Sequence, residues 1–267
     1  MSPTLPAPGI QALIRPHTGE LSSLRRTARG FSSDLTALVE GEKGGFFVKA
    51  VRNRPGGRRD SLTRERLINP FVRPISPALR WCVEDEDWVV LGFEAVSGRL
   101  SDFDPGSPDL LEIVELLDRI GRLDLPEVAR DWPETRWDRF ALDAAEAELF
   151  RGQSLLHTDI NPSNLIVGEQ SMWAVDWAWP TRGAPFIDPA LFVVQLVAAG
   201  HTAEGAESWA SHCTAWTKAD PKAVDAFAAA TLRMYRAFAE RKPDVPWLKA
   251  MEAAAQAWAD HRRVVLV

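Results

Sequence analysis

The 267-residue sequence predicts a bilobal α+β fold, in which a small antiparallel sheet with one helix precedes a larger, mainly helical part. Two observations predict it: strand-length apolar runs are paired across turns in the first third of the chain, and apolar residues recur at helical spacing over most of the remainder. The break at residues 96–98, Val-Ser-Gly, separates the two patterns. It divides the chain into two predicted domains, residues 1–95 and residues 96–267.

The predicted sheet consists of two hairpins. Apolar runs of strand length lie at residues 36–40, 46–51, 79–83 and 88–93. A glycine-containing turn joins the first pair and an acidic turn joins the second, as hairpins require. Between the hairpins, residues 53–60 are rich in Arg, Gly and Pro and predict a loop, and residues 61–71 predict a short helix. Residues 1–20 are rich in proline, and the first few are expected to be frayed.

The helical part is predicted from apolar periodicity and from the glycines and prolines that interrupt it. The predicted helices are residues 108–123, 137–150, 188–199, 203–217, 223–239 and 247–264. Gly200, Pro221, Pro243 and Pro246 separate the last four. The pattern shows no internal repeat, so a solenoid is not predicted.

Composition and charge exclude several classes of function. The net charge of −6 argues against a nucleic-acid-binding protein, which normally carries a basic stripe. The two cysteines, Cys82 and Cys213, form no C-x-x-C motif and predict a reduced, cytoplasmic protein. No apolar run reaches about 18 residues and the first residues do not resemble a signal peptide, so no membrane association is expected.

The strongest chemical signal is the polar loop at residues 157–164, which lies between two apolar runs. It holds Asp159 and, five positions later, Asn164, and a further strand-like run about twelve residues on ends at Asp176. This spacing is the layout of a kinase-type phosphoryl-transfer site. Asp159 is the candidate base for a substrate hydroxyl, and Asn164 and Asp176 offer the hard oxygen ligands that Mg²⁺ prefers. Each residue alone is equally typical of a loop cap, and only the set favours catalysis.

The first part of the chain contains candidates for holding the phosphates of a nucleotide. Gly30, Ser32 and Ser33 lie in a turn whose backbone N–H groups could approach phosphates, although an ordinary β-turn explains the same residues. Lys49 lies on a predicted strand and can bind phosphate as a point charge. Glu65, on the predicted helix that follows, is its candidate partner; a solvated helical Glu is the alternative.

Together these residues resemble the aminoglycoside phosphotransferase family of antibiotic and small-molecule kinases. The family's loop commonly reads H-G-D-L-H-P-G-N, and residues 157–164 read H-T-D-I-N-P-S-N, so that Thr158 and Asn161 replace a Gly and a His. The D-W pair of the family corresponds to Asp176 and Trp177, and its D-P-A, thought to support the loop, corresponds to the tripeptide at Asp188. The segments 177–183 and 198–202 are similar to those of actinobacterial members.

The resemblance implies a protein-kinase-like fold and an activity. By this resemblance, backbone groups of Phe93 and Ala95 would bind the adenine of ATP, with GTP as the alternative donor, and Mg²⁺ would hold its phosphates. The γ-phosphoryl would pass to a hydroxyl of a small molecule, with antibiotics among the candidates. The rival hypothesis is a catalytically silent nucleotide- or ligand-binding module on the same fold. A monomer or a homodimer is expected.

The acceptor is less well defined by the sequence. Residues 177–267 contain nine Asp or Glu and ten Lys or Arg, so a strongly polycationic acceptor is not favoured, although Asp131, Glu134 and Asp138 could contribute charge from outside that region. Six tryptophans follow Asp176 in the chain, and they either stack on an acceptor or pack the core. They are Trp177, Trp179, Trp209, Trp216, Trp247 and Trp258.

Overall fold

The structure, a computed structural model, describes residues 8–27 and 33–264. It divides into two compact units. The first contains the chain up to Gly98 together with Val175–Trp179, and the second contains Arg99–Ala174 and the chain from Pro180 onward. The predicted α+β class is confirmed. The short segment Val175–Trp179 belongs to the first unit although it lies deep in the second part of the sequence.

The first unit is built on a five-stranded antiparallel sheet with strand order β1-β2-β3-β5-β4. Its elements are α1 (Pro8–Thr18), β1 (Leu21–Arg26), β2 (Leu35–Gly41), β3 (Gly44–Arg52), α2 (Gly57–Val72), β4 (Leu79–Glu84) and β5 (Trp88–Glu94). Both predicted hairpins, β2–β3 and β4–β5, are confirmed. Strand β3 occupies the centre, where it pairs with β2 on one side and β5 on the other.

Two elements of this unit differ from the sequence analysis. Helix α1 lies in the proline-rich start, where no element was predicted, and it forms because Ile10 and Ile14 lie one turn apart and are both buried against the sheet core. Helix α2 begins at Gly57 rather than at residue 61. Gly56 adopts φ 141°, a conformation that favours glycine, and so it ends the loop before the arginine-rich start of the helix.

The ring of Trp81 on β4 lies directly against Gly92 on β5, where the two strands pair. A Cβ atom at position 92 would clash with three atoms of this ring. We therefore expect Gly92→Ala to lower the free energy of unfolding by at least about 1–3 kcal/mol through overpacking. Gly121→Ala is the matched control, because a Cβ there meets no atom within 4 Å and is expected to cause no loss of stability. Denaturant unfolding of both variants measures the difference, and equal stability would contradict this packing.

The second unit is mainly helical and carries two small sheets. Its elements are β6 (Arg99–Leu100), α3 (Leu110–Gly121), α4 (Ala144–Glu148), β7 (Ser154–Leu156), β8 (Leu165–Val167), β9 (Met172–Ala174), β10 (Thr181–Gly183), α5 (Ile187–Ala198), α6 (Ala203–Ala210), α7 (Thr214–Thr217), α8 (Pro221–Arg241) and α9 (Pro246–His261). Strand β7 pairs with β10, and β8 lies between β6 and β9. Among the described residues, no helix is long and apolar enough to cross a membrane.

Four of the predicted helices are confirmed with small shifts at their ends, as α3, α5, α8 and α9. The helix predicted over residues 137–150 is wrong: a short 3₁₀ turn ends at Phe140, Ala141 is extended, and α4 starts afresh after Asp143, whose carboxylate caps it. The helix predicted over residues 203–217 is two helices. The Asp118 carboxylate accepts hydrogen bonds from the N–H and hydroxyl of Thr214, which starts the second of them.

Candidate active site

Lys49 lies at the centre of the first unit, in strand β3, and its side chain is buried. Its Nζ atom lies 2.7 Å from Glu65 Oε1 and 2.7 Å from Asp176 Oδ1, and 5.9 Å from the centre of the Phe93 ring. Glu65 comes from α2 and is also buried. One ammonium is thus held between two carboxylates that lie far apart in the sequence.

The charges in this cluster are strongly coupled. Burial alone would lower the pKa of Lys49, but the negative charges of Asp176 and Glu65 outweigh that effect and hold the pKa well above its ordinary value. Burial raises the pKa of Glu65, and the Lys49 ammonium acts against that rise. Lys49 is therefore a permanent, fixed cation at neutral pH, as a group that binds phosphate must be.

Asp176 is brought to Lys49 by an unusual backbone conformation. Its φ is +64°, in the left-handed region that Asp tolerates better than most residues. The carboxylate side chain of Asp176 keeps 27% of its surface exposed, whereas the side chains of Lys49 and Glu65 keep 7% and 6%. Asp176 is therefore the member of the cluster that solvent, and any bound ion, can reach.

In the second unit, the loop at residues 157–164 connects β7 to β8 and is fixed through its backbone. The N–H groups of His157 and Thr158 donate to the two carboxylate oxygens of Asp188, each at 2.8 Å. Asp188 is buried at the start of α5. Burial raises its pKa, while His157 and these two N–H donors act against the shift. The α5 helix thus anchors the start of the loop.

The side chain of Asp159 is held by two amides of the same loop. Asn161 Nδ2 donates to Asp159 Oδ1 at 3.0 Å, and Asn164 Nδ2 donates to Asp159 Oδ2 at 2.9 Å. The N–H of Asp159 donates to His157 Nδ1 at 3.2 Å. Each carboxylate oxygen therefore has a neutral donor, which fixes its orientation, and His157 braces the loop backbone.

Two residues that support this loop were missed or misread from the sequence. Arg136 donates from Nη1 to the carbonyl oxygen of Thr158 at 2.8 Å and from Nη2 to its hydroxyl at 3.1 Å. Glu134, considered above as an acceptor-binding carboxylate, is buried and accepts from Thr181 Oγ1 and the Arg136 N–H. No local sequence pattern indicates either role. The Arg136 side chain contacts Thr158, 22 residues away, and the Glu134 side chain contacts Thr181, 47 residues away.

Tyr235 on α8, the only tyrosine of the sequence, has a pKa that is influenced by the charges around Asp159. Burial raises its pKa to about 12; the Arg136 charge lowers it and the Asp159 charge raises it. We expect ultraviolet titration to place tyrosinate formation about two pH units above the ordinary value near 10. Because the folded pKa is raised, stability should fall by about 1.4 kcal/mol per pH unit between about pH 10 and 12.

The titration has a directional control in two variants. Asp159→Asn should lower the pKa of Tyr235 and Arg136→Met should raise it further, because these charges act in opposite directions. Asp124→Asn, at an exposed position, should leave it unchanged. Ionisation of Tyr235 near pH 10 in the wild-type protein would contradict its burial, and an unchanged pKa of Tyr235 in both charge variants would contradict the arrangement around Asp159.

The remaining predicted nucleotide-binding residues are placed as follows. Gly30 and Ser32 lie outside the described residues, whereas Ser33 is half-buried just before β2. Phe93 is a buried residue of β5, paired with Phe47, and Ala95 directly follows the strand. Phe93 therefore belongs to the same side-chain cluster as Lys49, although its backbone was the predicted adenine contact.

The tryptophans after Asp176 fall into different classes. Trp177 and Trp258 are buried in the core, at 1% and 0% exposure, so packing accounts for them. Trp209 and Trp216 are half-buried, and Trp179 and Trp247 are exposed. Of the two exposed rings, only that of Trp179 lies in the same unit as Asp176, and its centre is 5.3 Å from the guanidinium carbon of Arg64.

The donor atoms of the two predicted metal ligands are oxygens, which suit a magnesium-type ion better than a transition metal. Asp176, in the first unit, offers carboxylate oxygens, and Asn164, in the second unit, offers an amide oxygen. Among the described residues, no group of three or more His, Cys, Asp or Glu is placed to hold a metal ion. An open groove of about 520 Å³ in the second unit is lined by residues of α4 and α8, including the Glu146–Arg233 ion pair, and by none of the predicted site residues.

No protein-family model matches the sequence, and no curated protein matches it. Among solved structures, the choline kinase LicA from Streptococcus pneumoniae has a TM-score of 0.60 at 15% identity, covering 95% of this chain and 94% of that one. The GDP complex of wild-type aminoglycoside 2'-phosphotransferase-IIIa has a TM-score of 0.56 at 14% identity, covering 95% and 98%. Amicoumacin kinase hAmiN in complex with AMP-PNP, Ca²⁺ and Ami has a TM-score of 0.54 at 12% identity, covering 88% of each chain.

The chain has the fold of these phosphotransferases. The resemblance predicted from the loop motif is thereby confirmed at the level of the aminoglycoside-phosphotransferase-like kinase fold. The names of the three proteins give different acceptors, namely choline, an aminoglycoside and amicoumacin. The phosphotransferase fold therefore leaves the acceptor to be determined by the side chains of each protein.

Proposed function

We propose that this protein transfers the γ-phosphoryl group of ATP to a hydroxyl of a small molecule in a Mg²⁺-dependent reaction. The observation that carries the proposal is the Lys49 ammonium held at 2.7 Å from both Glu65 and Asp176. Burial of charged groups carries a desolvation penalty in free energy. Clusters of buried, coupled charges such as this one concentrate at functional sites. Three proteins of the same fold, two of them in nucleotide complexes, support a kinase reaction.

The first unit supplies the nucleotide-binding groups in this proposal. Lys49 provides a fixed positive charge for the phosphates, and Glu65 keeps its ammonium in one position. Backbone groups of Phe93 and Ala95 bind the base. The turn predicted from the sequence at Gly30, Ser32 and Ser33 would cover the phosphates with backbone N–H groups. Binding energy at these groups is used for positioning, which supplies much of the catalysis in phosphoryl transfer.

Asp176 and Asn164 are the residues that would hold the metal ion. The exposed face of Asp176 and the amide oxygen of Asn164 match the hard-oxygen preference of Mg²⁺. When bound, the ion neutralises the charge that develops on the transferring phosphoryl group.

Asp159 acts on the acceptor. The donors Asn161 and Asn164 orient its carboxylate, which accepts the proton of the acceptor hydroxyl as the hydroxyl oxygen bonds to the γ-phosphorus. The bond from that phosphorus to the bridging oxygen breaks, and ADP leaves with the electron pair. The near-neutral charge of residues 177–267 favours an acceptor that is not strongly polycationic, which leaves antibiotics and other small alcohols of low positive charge as the candidate class.

The metal assignment predicts the behaviour of Asp176→Ala. The variant keeps the Lys49–Glu65 pair, so it should fold, but its affinity for ATP in the presence of Mg²⁺ should fall by at least about tenfold. With EDTA in place of Mg²⁺, the difference between the wild-type and variant affinities should shrink, because the metal-linked contribution is then absent from both proteins. Calorimetric titration measures both. Asp124→Ala, which removes an exposed carboxylate outside the candidate site, is the control. If ATP binding by Asp176→Ala depended on Mg²⁺ as strongly as binding by the wild type, the metal assignment of Asp176 would be disproved.

A further inference from the structure

Thr158, the residue before Asp159, adopts a backbone conformation that its side chain disfavours. Its φ is +62°, in the left-handed region, which is a genuine outlier for a β-branched residue. Glycine adopts this conformation without steric cost. The side chain is 1% exposed, so solvent does not compensate the strain. The surrounding structure must therefore hold this residue in place, and the same strain sets the direction in which Asp159 leaves the backbone.

Two groups hold Thr158, one on each side of its backbone. Its N–H donates to Asp188 Oδ1 at 2.8 Å, which fixes the peptide that precedes it. Its carbonyl oxygen and hydroxyl accept from the two terminal nitrogens of Arg136, at 2.8 Å and 3.1 Å. That carbonyl belongs to the peptide that joins Thr158 to Asp159. Arg136 therefore fixes the peptide from which the proposed base emerges.

The backbone and side chain of Arg136 are both held by neighbouring residues. The backbone N–H of Arg136 donates at 2.6 Å to one carboxylate oxygen of the buried Glu134, and the other oxygen accepts from Thr181 Oγ1 at 2.8 Å. Thr181 is paired in register with Leu156, the last residue of β7 before the loop. The Arg136 guanidinium also lies 5.1 Å from the ring centre of Trp137, which is buried. The network thus connects Arg136 to the strand that leads into the loop.

We infer that Arg136 is a positioning residue, which keeps Thr158 in the left-handed conformation and thereby holds Asp159 in its reactive orientation. The inference rests on the proposed function of Asp159. Arg136 acts through the Thr158 peptide in this inference, so it is distinct from a residue that binds substrate. Planar, bidentate donation to a carbonyl and a hydroxyl suits Arg and is lost in Lys.

The test is a cycle of four proteins: wild type, Arg136→Met, Thr158→Gly and the double variant. The activity measured is Mg-ATP hydrolysis with water as acceptor. With Thr158 in place, Arg136→Met should lower kcat by up to about 10²-fold with little change in KM for ATP, since a small misplacement of a reacting group costs that much. In the Thr158→Gly protein the same change should cost less than about tenfold, because glycine needs no support at this φ.

The cycle separates positioning from other roles. An equal loss of kcat from Arg136→Met with and without the Thr158→Gly substitution would overturn the inference and would indicate direct contact with the reacting groups. Arg136→Lys should resemble Arg136→Met when Thr158 is present, and full activity in Arg136→Lys would also overturn it, since charge alone would then suffice. The KM for ATP serves as an internal control for the nucleotide-binding residues.

A second readout needs no activity. Unfolding midpoints of the same four proteins should show coupling, with Arg136→Met shifting the midpoint more when Thr158 is present than in the Thr158→Gly protein. If the wild-type protein hydrolysed no ATP and phosphorylated no acceptor, the proposed function would fail, while coupling in the unfolding cycle would still indicate that Arg136 stabilises the backbone of Thr158. If the unfolding effects were additive, the inference would fail whatever the activity.

Discussion

Asp159→Asn is expected to lower the rate of phosphoryl transfer by about 10²- to 10⁴-fold, the usual cost of removing a general base. The amide has the same shape as the carboxylate, and its oxygen can still accept a hydrogen bond from Asn161 or Asn164. The variant should therefore fold and bind Mg-ATP with an affinity close to that of the wild type. Single-turnover measurements of ATP consumption separate this loss in the chemical step from a change in binding.

The control for Asp159→Asn lies in the same loop. Ser163 is exposed, and its contact in the loop is made by its backbone N–H, which donates to Asn161 Oδ1 at 2.9 Å. Ser163→Ala keeps that contact and should retain the wild-type rate. An Asp159→Asn protein with full transfer activity would remove Asp159 from the mechanism, whereas equal losses in both variants would indicate a general sensitivity of the loop.

Lys49→Met is expected to abolish tight ATP binding and also to destabilise the first unit. The substitution leaves Glu65 buried with no cation, and breaking a buried pair from one side typically costs about 3–5 kcal/mol. Part of that cost is avoided when Glu65 takes up a proton, so the destabilisation should be smaller at low pH and larger as pH rises. Denaturant unfolding at two pH values and nucleotide titration measure the two effects.

A second substitution separates stability from binding at this site. Lys49→Met/Glu65→Gln removes the buried charge, so it should recover much of the lost stability while ATP binding stays absent. Lys249→Met, on the exposed surface of α9, is the matched control for loss of a lysine. A Lys49→Met protein as stable as this control would contradict the buried pair of Lys49 with Glu65. A Lys49→Met protein that bound Mg-ATP normally would contradict the role of Lys49 as the phosphate-binding cation.

Sequence patterns predicted the parts of the fold in which local signals agree with tertiary packing. The hairpins β2–β3 and β4–β5 follow from apolar runs and turns, and the loop at residues 157–164 follows from its spacing alone. The continuous helix predicted over residues 137–150 failed because local capping at Asp143 starts a new helix within the pattern. Helix α1 was missed because the prolines of that segment outweighed the helical spacing of Ile10 and Ile14.

The pairing of Lys49 with Glu65 was predicted from the sequence, whereas the other contacts around the candidate site were not. The structure adds that the Lys49 ammonium also contacts Asp176. The support of Thr158 by Arg136 has no local sequence signature, because the two residues are 22 positions apart. A threonine also gives no indication that its backbone adopts the left-handed conformation. Contacts of this kind are set by tertiary structure and are found only once the fold is known.

The most direct test is a mass-spectrometric screen in which small-molecule alcohols, including antibiotics, nucleosides and amino sugars, are incubated with the protein and Mg-ATP. We predict that one acceptor class gains a phosphoryl group with formation of ADP, and that this product is lost with Asp159→Asn and retained with Ser163→Ala. Binding of Mg-ATP without transfer to any acceptor or to water would contradict the proposed kinase reaction and would indicate a silent nucleotide-binding module.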